Sequence, residues 1–148
     1  MDNNVVQFDP KANVRIVPLV DDPEAALEIA LPVLRKSIEN DARNVSMEDF
    51  VEDVREGRSM IWVVYIQDTL VAAFTTSVAQ HPQRLTLHIE YMGGRKMGIW
   101  MKAALNALRI AAKKAGLSAI EADGRIGFSR FACDNGFVET HRHFEMEL

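Results

Sequence analysis

Leu85-Thr-Leu-His-Ile-Glu-Tyr-Met92 runs directly into Gly93-Gly94-Arg95-Lys96-Met97-Gly98-Ile99-Trp100, and this passage decides the fold. Leu85, Leu87, Ile89 and Tyr91 alternate with Thr86, His88, Glu90 and Met92, the period of a strand with two unlike faces. Two glycines end it. Beyond them Trp100, Ala103, Ala104, Ala107, Leu108, Ala111, Ala112 and Ala115 recur at helical spacing until Gly116 stops the run. The mostly alanine inner side predicts a helix lying close against a sheet. A helix opening from a glycine turn presents free backbone N–H groups, and Arg95 and Lys96 stand at that point. Cations there oppose the helix dipole unless an anion joins them, whereas Lys113 and Lys114 sit in the last turn, where cations are favoured.

Upstream, Met60–Ile66 and Leu70–Val78 are β-rich runs separated by Gln67, Asp68 and Thr69, so three consecutive antiparallel strands are expected. Before them, Ser46-Met-Glu-Asp49 opens a short helix that ends near Gly57. Asp22-Pro23 opens a longer one through Asn40, which Pro32 should kink or split. Val14–Val20 reads as a strand, and residues 1–12 as a loose arm preceding a single domain over 13–148. Downstream, Leu117–Ala122 is a strand, Arg125–Asn135 a helix, and Phe137–Leu148 a strand with Phe144, Met146 and Leu148 on one side. The class is α/β with a mixed sheet: strand, two helices, three-strand meander, helix, strand, helix, strand.

Composition narrows the function. With 148 residues, 48% hydrophobic and 26% charged, the chain suits one self-sufficient core. It has no apolar run long enough to span a membrane, and its opening is not a secretory signal. Cys133 is the single cysteine, so no intramolecular bridge forms and a reducing, cytoplasmic setting is expected. The net charge of −4 argues against nucleic acid. The basic residues between Arg95 and Lys114 also lack the interleaved aromatics of a single-strand binder.

The order of elements from Val14 to Leu148 resembles the GNAT fold of the acyl-CoA N-acyltransferases. That family places Gln/Arg-x-x-Gly-x-Gly/Ala at the start of its third helix. Arg95-Lys-Met-Gly98-Ile-Trp100 supplies the Arg and the first Gly, with Trp in the last small position. Gly136-Phe137 reproduces the pair that ends the family's fourth helix. Ala132 stands where a thiolate-protonating Tyr is common, and Arg125 where an Asn is frequent. A narrower set, Gly93-Gly94-Arg95, Trp100, Gly124-Arg125-Ile-Gly127-Phe128 and Gly136-Phe137, is similar to GNAT-like proteins that tailed phages encode near their virion genes.

The resemblance implies acetyl-CoA as cofactor, no metal, and a small-molecule or protein amine as acceptor. Backbone groups of the strand through Tyr91 and Met92 would hold the thioester arm, and Arg95, Lys96, Met97 and Gly98 the pyrophosphate. Arg125 either reaches the phosphates or pairs with Asp123. Glu90, with His88 on the same face about 6.5 Å along the strand, is the expected base. Cys133, beside the missing Tyr position, is either a proton donor or a small buried apolar residue. His141 and His143 share a face, but without a third ligand they read as surface residues. The alternative function is a silent GNAT-fold phage protein acting through contacts with other structural proteins of the virion, with homo-oligomerisation open in either case.

Overall fold

The computed structural model describes residues 7–9, 13–41, 45–124 and 126–148. Its sheet has six strands in sequence order: β1 (Gln7–Asp9), β2 (Val14–Leu19), β3 (Met60–Ile66), β4 (Thr69–His81), β5 (Arg84–Gly94) and β6 (Ile120–Ala122). All neighbours are antiparallel except β5 and β6, which run parallel. Helices α1 (Pro23–Glu39) and α2 (Met47–Arg55) cover one face, against Ile61, Val63, Ala73 and Tyr91. Helix α3 (Met97–Lys114) covers the other, against Val14, Ile16, Trp62, Phe74, Leu87 and Ile89. A 3-10 turn (Ile126–Phe128) leads into α4 (Ser129–Asp134).

Local chemistry accounts for the boundaries. The Asp22 carboxylate accepts from the backbone N–H groups of Glu24 and Ala25, and Ser46 with Asp49 forms a reciprocal cap on α2. Gln67 and Asp68 both hold positive φ, a two-residue turn whose twist matches that of the strands it joins. Gly93 is required by packing: a β-carbon there would lie 2.3 Å from the Val33 carbonyl oxygen of α1. Gly94, at φ +122, passes as closely over Val71 and Ala72.

Five expectations are corrected. Residues 1–12 are not wholly a loose arm, because Gln7–Asp9 pair with Val14–Ile16 at the sheet edge. Pro32 does not split α1, which runs unbroken past it, with the exposed ring on the solvent side. Tyr91 does not share a face with Leu87 and Ile89, for a reason given below. The helix expected over Arg125–Asn135 is regular only from Ser129, after a 3-10 turn around Gly127. Phe137–Leu148 forms no strand: the alternation is real, but a strand needs a neighbour's backbone, and among the described residues none pairs with this segment.

Candidate functional site

The parallel ladder between β5 and β6 is short. Leu87, His88 and Ile89 oppose Ile120, Glu121 and Ala122, and the Leu87 N–H donates to the Ala119 carbonyl at 2.9 Å. Past Ile89 the strands part. β5 continues to Gly94, paired with β4 alone, while the chain after Ala122 turns away toward α4. One edge of β5 from Glu90 to Gly94 therefore has no strand paired with it among the described residues, and it leads straight to the start of α3.

Within that stretch the ladder to β4 slips. Phe74 opposes Met92 and Thr76 opposes Ile89, so the single Thr75 faces both Glu90 and Tyr91. This is a β-bulge, with one extra residue on β5. The buried Thr75 hydroxyl accepts the Tyr91 N–H at 3.2 Å. The bulge turns Glu90 and Tyr91 to the α1–α2 side together and returns Met92 to the α3 side. Tyr91 packs edge-on to Phe50, with ring centroids 5.6 Å apart. Glu90 is half-buried and accepts from the Ser59 hydroxyl at 2.8 Å, in a hollow also lined by Asp53, Gly57, Arg58 and Ser77. The Arg58 guanidinium is held by Asp53 at 2.8 Å.

His88 lies two residues before Glu90, with its side chain only 15% exposed and Nε2 3.1 Å from the Asp123 carboxylate. In the neutral ring, a proton on Nε2 directed at Asp123 leaves Nδ1 as an acceptor. Next to it, Glu121 accepts from Thr86 at 2.9 Å and meets His81 at 2.8 Å. Burial alone would raise the Glu121 carboxyl. The hydrogen bonds from Thr86 and His81, with the charges of His81 and His88, outweigh it and hold Glu121 below the ordinary carboxylate range.

At the far end, Lys96 takes a left-handed conformation (φ +61) as the residue before α3, and no side chain caps the helix. The Ile99 N–H turns back to the Lys96 carbonyl at 2.9 Å, whereas those of Met97 and Gly98 have no side-chain cap and lie beside cations, the arrangement that suits an anion. Arg95 is pinned on both sides: its N–H donates to the Val71 carbonyl at 2.9 Å, and its carbonyl accepts from the Trp100 indole at 2.8 Å. Trp100 is 1% exposed and stacked on Phe74, at 6.2 Å between centroids and 7° between planes. It fills the core and leaves the turn open. A β-carbon on Gly98 would meet nothing within 4 Å.

The structure thus brings His88, Glu90, Tyr91, Met92, Arg95, Lys96, Met97 and Gly98 onto one continuous path along β5 into α3. The Tyr91 ring is buried, so only its backbone can serve a ligand. Met97 is half-buried against the α3-side core. Arg125 lies outside the described residues. Cys133 is exposed on α4, so the small buried residue expected there is corrected. His141 and His143 are exposed, with local partners in Thr140 and Glu145. Ser59 and Thr75 escaped sequence reading, and Asp123, weighed there only as a partner of Arg125, escaped it as the partner of His88. Each reaches β5 from a distant part of the chain, and no spacing announces it.

No family profile matches the sequence, and no curated protein matches it either. Solved structures do. An aminoglycoside acetyltransferase from an uncultured soil metagenomic sample, in complex with sisomicin, is 15% identical at a TM-score of 0.65, over 91% of this chain and 96% of that one. A predicted acetyltransferase from Clostridium acetobutylicum, with acetyl-CoA, is 13% identical at 0.63, over 90% and 96%. Glucosamine-6-phosphate N-acetyltransferase from Arabidopsis thaliana is 14% identical at 0.61, over 89% and 97%. The chain has the fold of the GNAT acetyltransferases. None of these likenesses points to a tailed phage.

Proposed function

We propose that the chain is an acyl-CoA-dependent N-acyltransferase acting on a primary amine. The observation that carries this reading is the parting of β5 and β6 after Ile89 and Ala122. It leaves a bare strand edge, a bulged carboxylate and an uncapped, cation-flanked helix start in one line. Acetyl-CoA suits these residues: the Gly98 surface is open, the first-turn N–H groups of α3 are free of side-chain caps, and Arg95 and Lys96 are exposed. When bound, it would supply an acyl group activated as a thioester. Arg95, Lys96 and the N–H groups of Met97 and Gly98 hold the pyrophosphate, and the free edge of β5 at Tyr91 and Met92 aligns the arm. Glu90, oriented by Ser59, takes the proton that the attacking amine must lose, and His88 offers a second acceptor on the same face.

Acetyl-CoA at about 100 times its dissociation constant should stabilise the fold by roughly 2.7 kcal/mol, a melting shift of about 5–10 °C. Gly98→Val should abolish the shift without lowering the ligand-free melting point, because the added side chain enters open space. Glu90→Gln should keep the shift and slow transfer. A flat titration at millimolar acetyl-CoA would sink the enzyme. The second reading, a silent GNAT-fold protein of a phage particle acting by protein contacts, rests on Ala132 in place of the proton-donating Tyr. It is the reading that a flat titration would leave standing.

A further inference from the structure

We propose that copies of this chain associate front to back, the outer face of α3 in one docking on the outer face of α1 and α2 in the next. The sequence divides its charge by region. From Arg95 to Ile120 there are six cations and no carboxylate, whereas from Asp21 to Glu56 eleven carboxylates stand against four cations. The fold sets these two regions on opposite faces of one sheet, so a chain of net charge −4 is basic on one side and acidic on the other. The basic side is unpartnered. Among the described residues, none of Arg95, Lys96, Lys102, Arg109, Lys113 and Lys114 meets a carboxylate at ion-pair distance. The helix dipole favours Lys113 and Lys114 but gives no reason for Lys102 and Arg109, which lie away from the helix end.

Shape follows the charge. Ile99, Lys102, Asn106, Arg109, Ile110 and Lys113 recur every three or four residues and form one exposed stripe along α3. Its two isoleucines are 47% and 37% exposed and lie about 16 Å apart by helical rise. The opposite side of the molecule holds the complement. A shallow hollow of about 500 Å³ between α1 and α2 is lined by Ala25, Leu31 and Val51, with Glu24, Glu28 and Arg55 around it. Arg55 is held by Glu24, while Glu28, Glu48 and Glu52 meet no cation among the described residues. An isoleucine seated in that hollow brings Lys102 or Arg109 beside those carboxylates. A nucleic acid or an anionic bilayer would match α3 alone, whereas a second copy accounts for both faces. Because the two patches lie on opposite faces of the sheet, the contact is head-to-tail rather than two-fold. The 18 residues of α3 make a rod about 27 Å long and about 10 Å wide, a footprint of roughly 300 Å². Stable pairs bury roughly 800 Å² a side, so this contact is a weak one, steered by charge.

The test uses the full chain. At about 10 mM salt a charge acts over about 30 Å, and sedimentation should show the mean mass rising with protein concentration up to a few hundred micromolar. At about 0.5 M salt, where charges reach only a few ångström, the mass should stay at its dilute value. Lys102→Glu/Lys113→Glu spoils the α3 face, and Glu28→Lys/Glu52→Lys spoils the acidic one. All four side chains are exposed, so circular dichroism should not change. Each variant alone should keep its dilute mass in low salt. An equimolar mixture of the two should associate again, since each supplies the face the other lacks. A wild type whose mass ignores concentration in low salt refutes the proposal, whether or not it then binds anionic vesicles or DNA. A variant that associates as the wild type does, or a mixture that stays dispersed, refutes it also, since the contact then lies elsewhere or joins like faces. None of the four substitutions touches Glu90 or the α3 turn, so acetyl-CoA binding is scored separately from the association.

Discussion

Trp100→Phe separates the two positions a bulky ring in the helix-opening motif can occupy. In the structure the indole is 1% exposed, lies parallel to Phe74, and donates to the Arg95 carbonyl at 2.8 Å. Phenylalanine keeps the stack and loses the bond. The lost hydrogen bond costs about 1 kcal/mol, and the smaller ring in a close-packed site about as much again. A total of about 2 kcal/mol should lower the melting point by roughly 4–8 °C in a chain of this size. Urea denaturation should show a lower midpoint at unchanged slope, because the surface exposed on unfolding hardly changes. Releasing the Arg95 carbonyl also loosens the turn that precedes α3, so acetyl-CoA should bind a few-fold more weakly. An unchanged melting point would refute the packing argument. Tighter acetyl-CoA binding would refute it more sharply, since it would mean that the indole had been standing in the ligand's space.

Three further outcomes follow from other contacts. Gly93→Ala places a β-carbon 2.3 Å from the Val33 carbonyl, and since neither backbone can yield cheaply it should cost about 1–3 kcal/mol or more in chemical denaturation. Ser59→Ala should leave the acetyl-CoA melting shift intact while kcat falls roughly 3–10-fold, because it frees the carboxylate that Ser59 orients. Glu121 has a folded pKa below its ordinary 4.5, so its stabilising contribution is present above that value and lost as pH falls through the lowered one. Thr86→Val should thus destabilise at pH 7 and less so near pH 3; a gap that is constant across melts at both pH values would contradict the assignment.

The sequence carried the element order well, because each boundary is written locally. Asp22 and Ser46 cap their helices with their own side chains, and Gly93-Gly94 stops β5 where α1 comes too close for a side chain. What failed was whatever depends on a distant partner. Pro32 looks like a break, but packing of Leu27, Ala30, Leu34 and Ile38 on the sheet holds α1 together across it. The tail alternates like a strand, yet among the described residues no strand pairs with it. Glu90, His88, Arg95 and Gly98 could be singled out as candidates because they lie in one passage. Ser59, Thr75 and, as the partner of His88, Asp123 could not, since folding alone brings them there.

The bulge in β5 has a consequence for what the chain can spare. Remove Glu90 on paper, and Ile89 still opposes Thr76, Tyr91 opposes Thr75, and Met92 still opposes Phe74. The strand would then run as an uninterrupted ladder, with Tyr91 still against Phe50 and the β5–β6 pairs untouched. Nothing in the sheet asks for the extra residue. A ladder without it would be regular, so strand pairing alone gives no reason for the extra residue, and the side chain it adds to the α1–α2 face is a carboxylate.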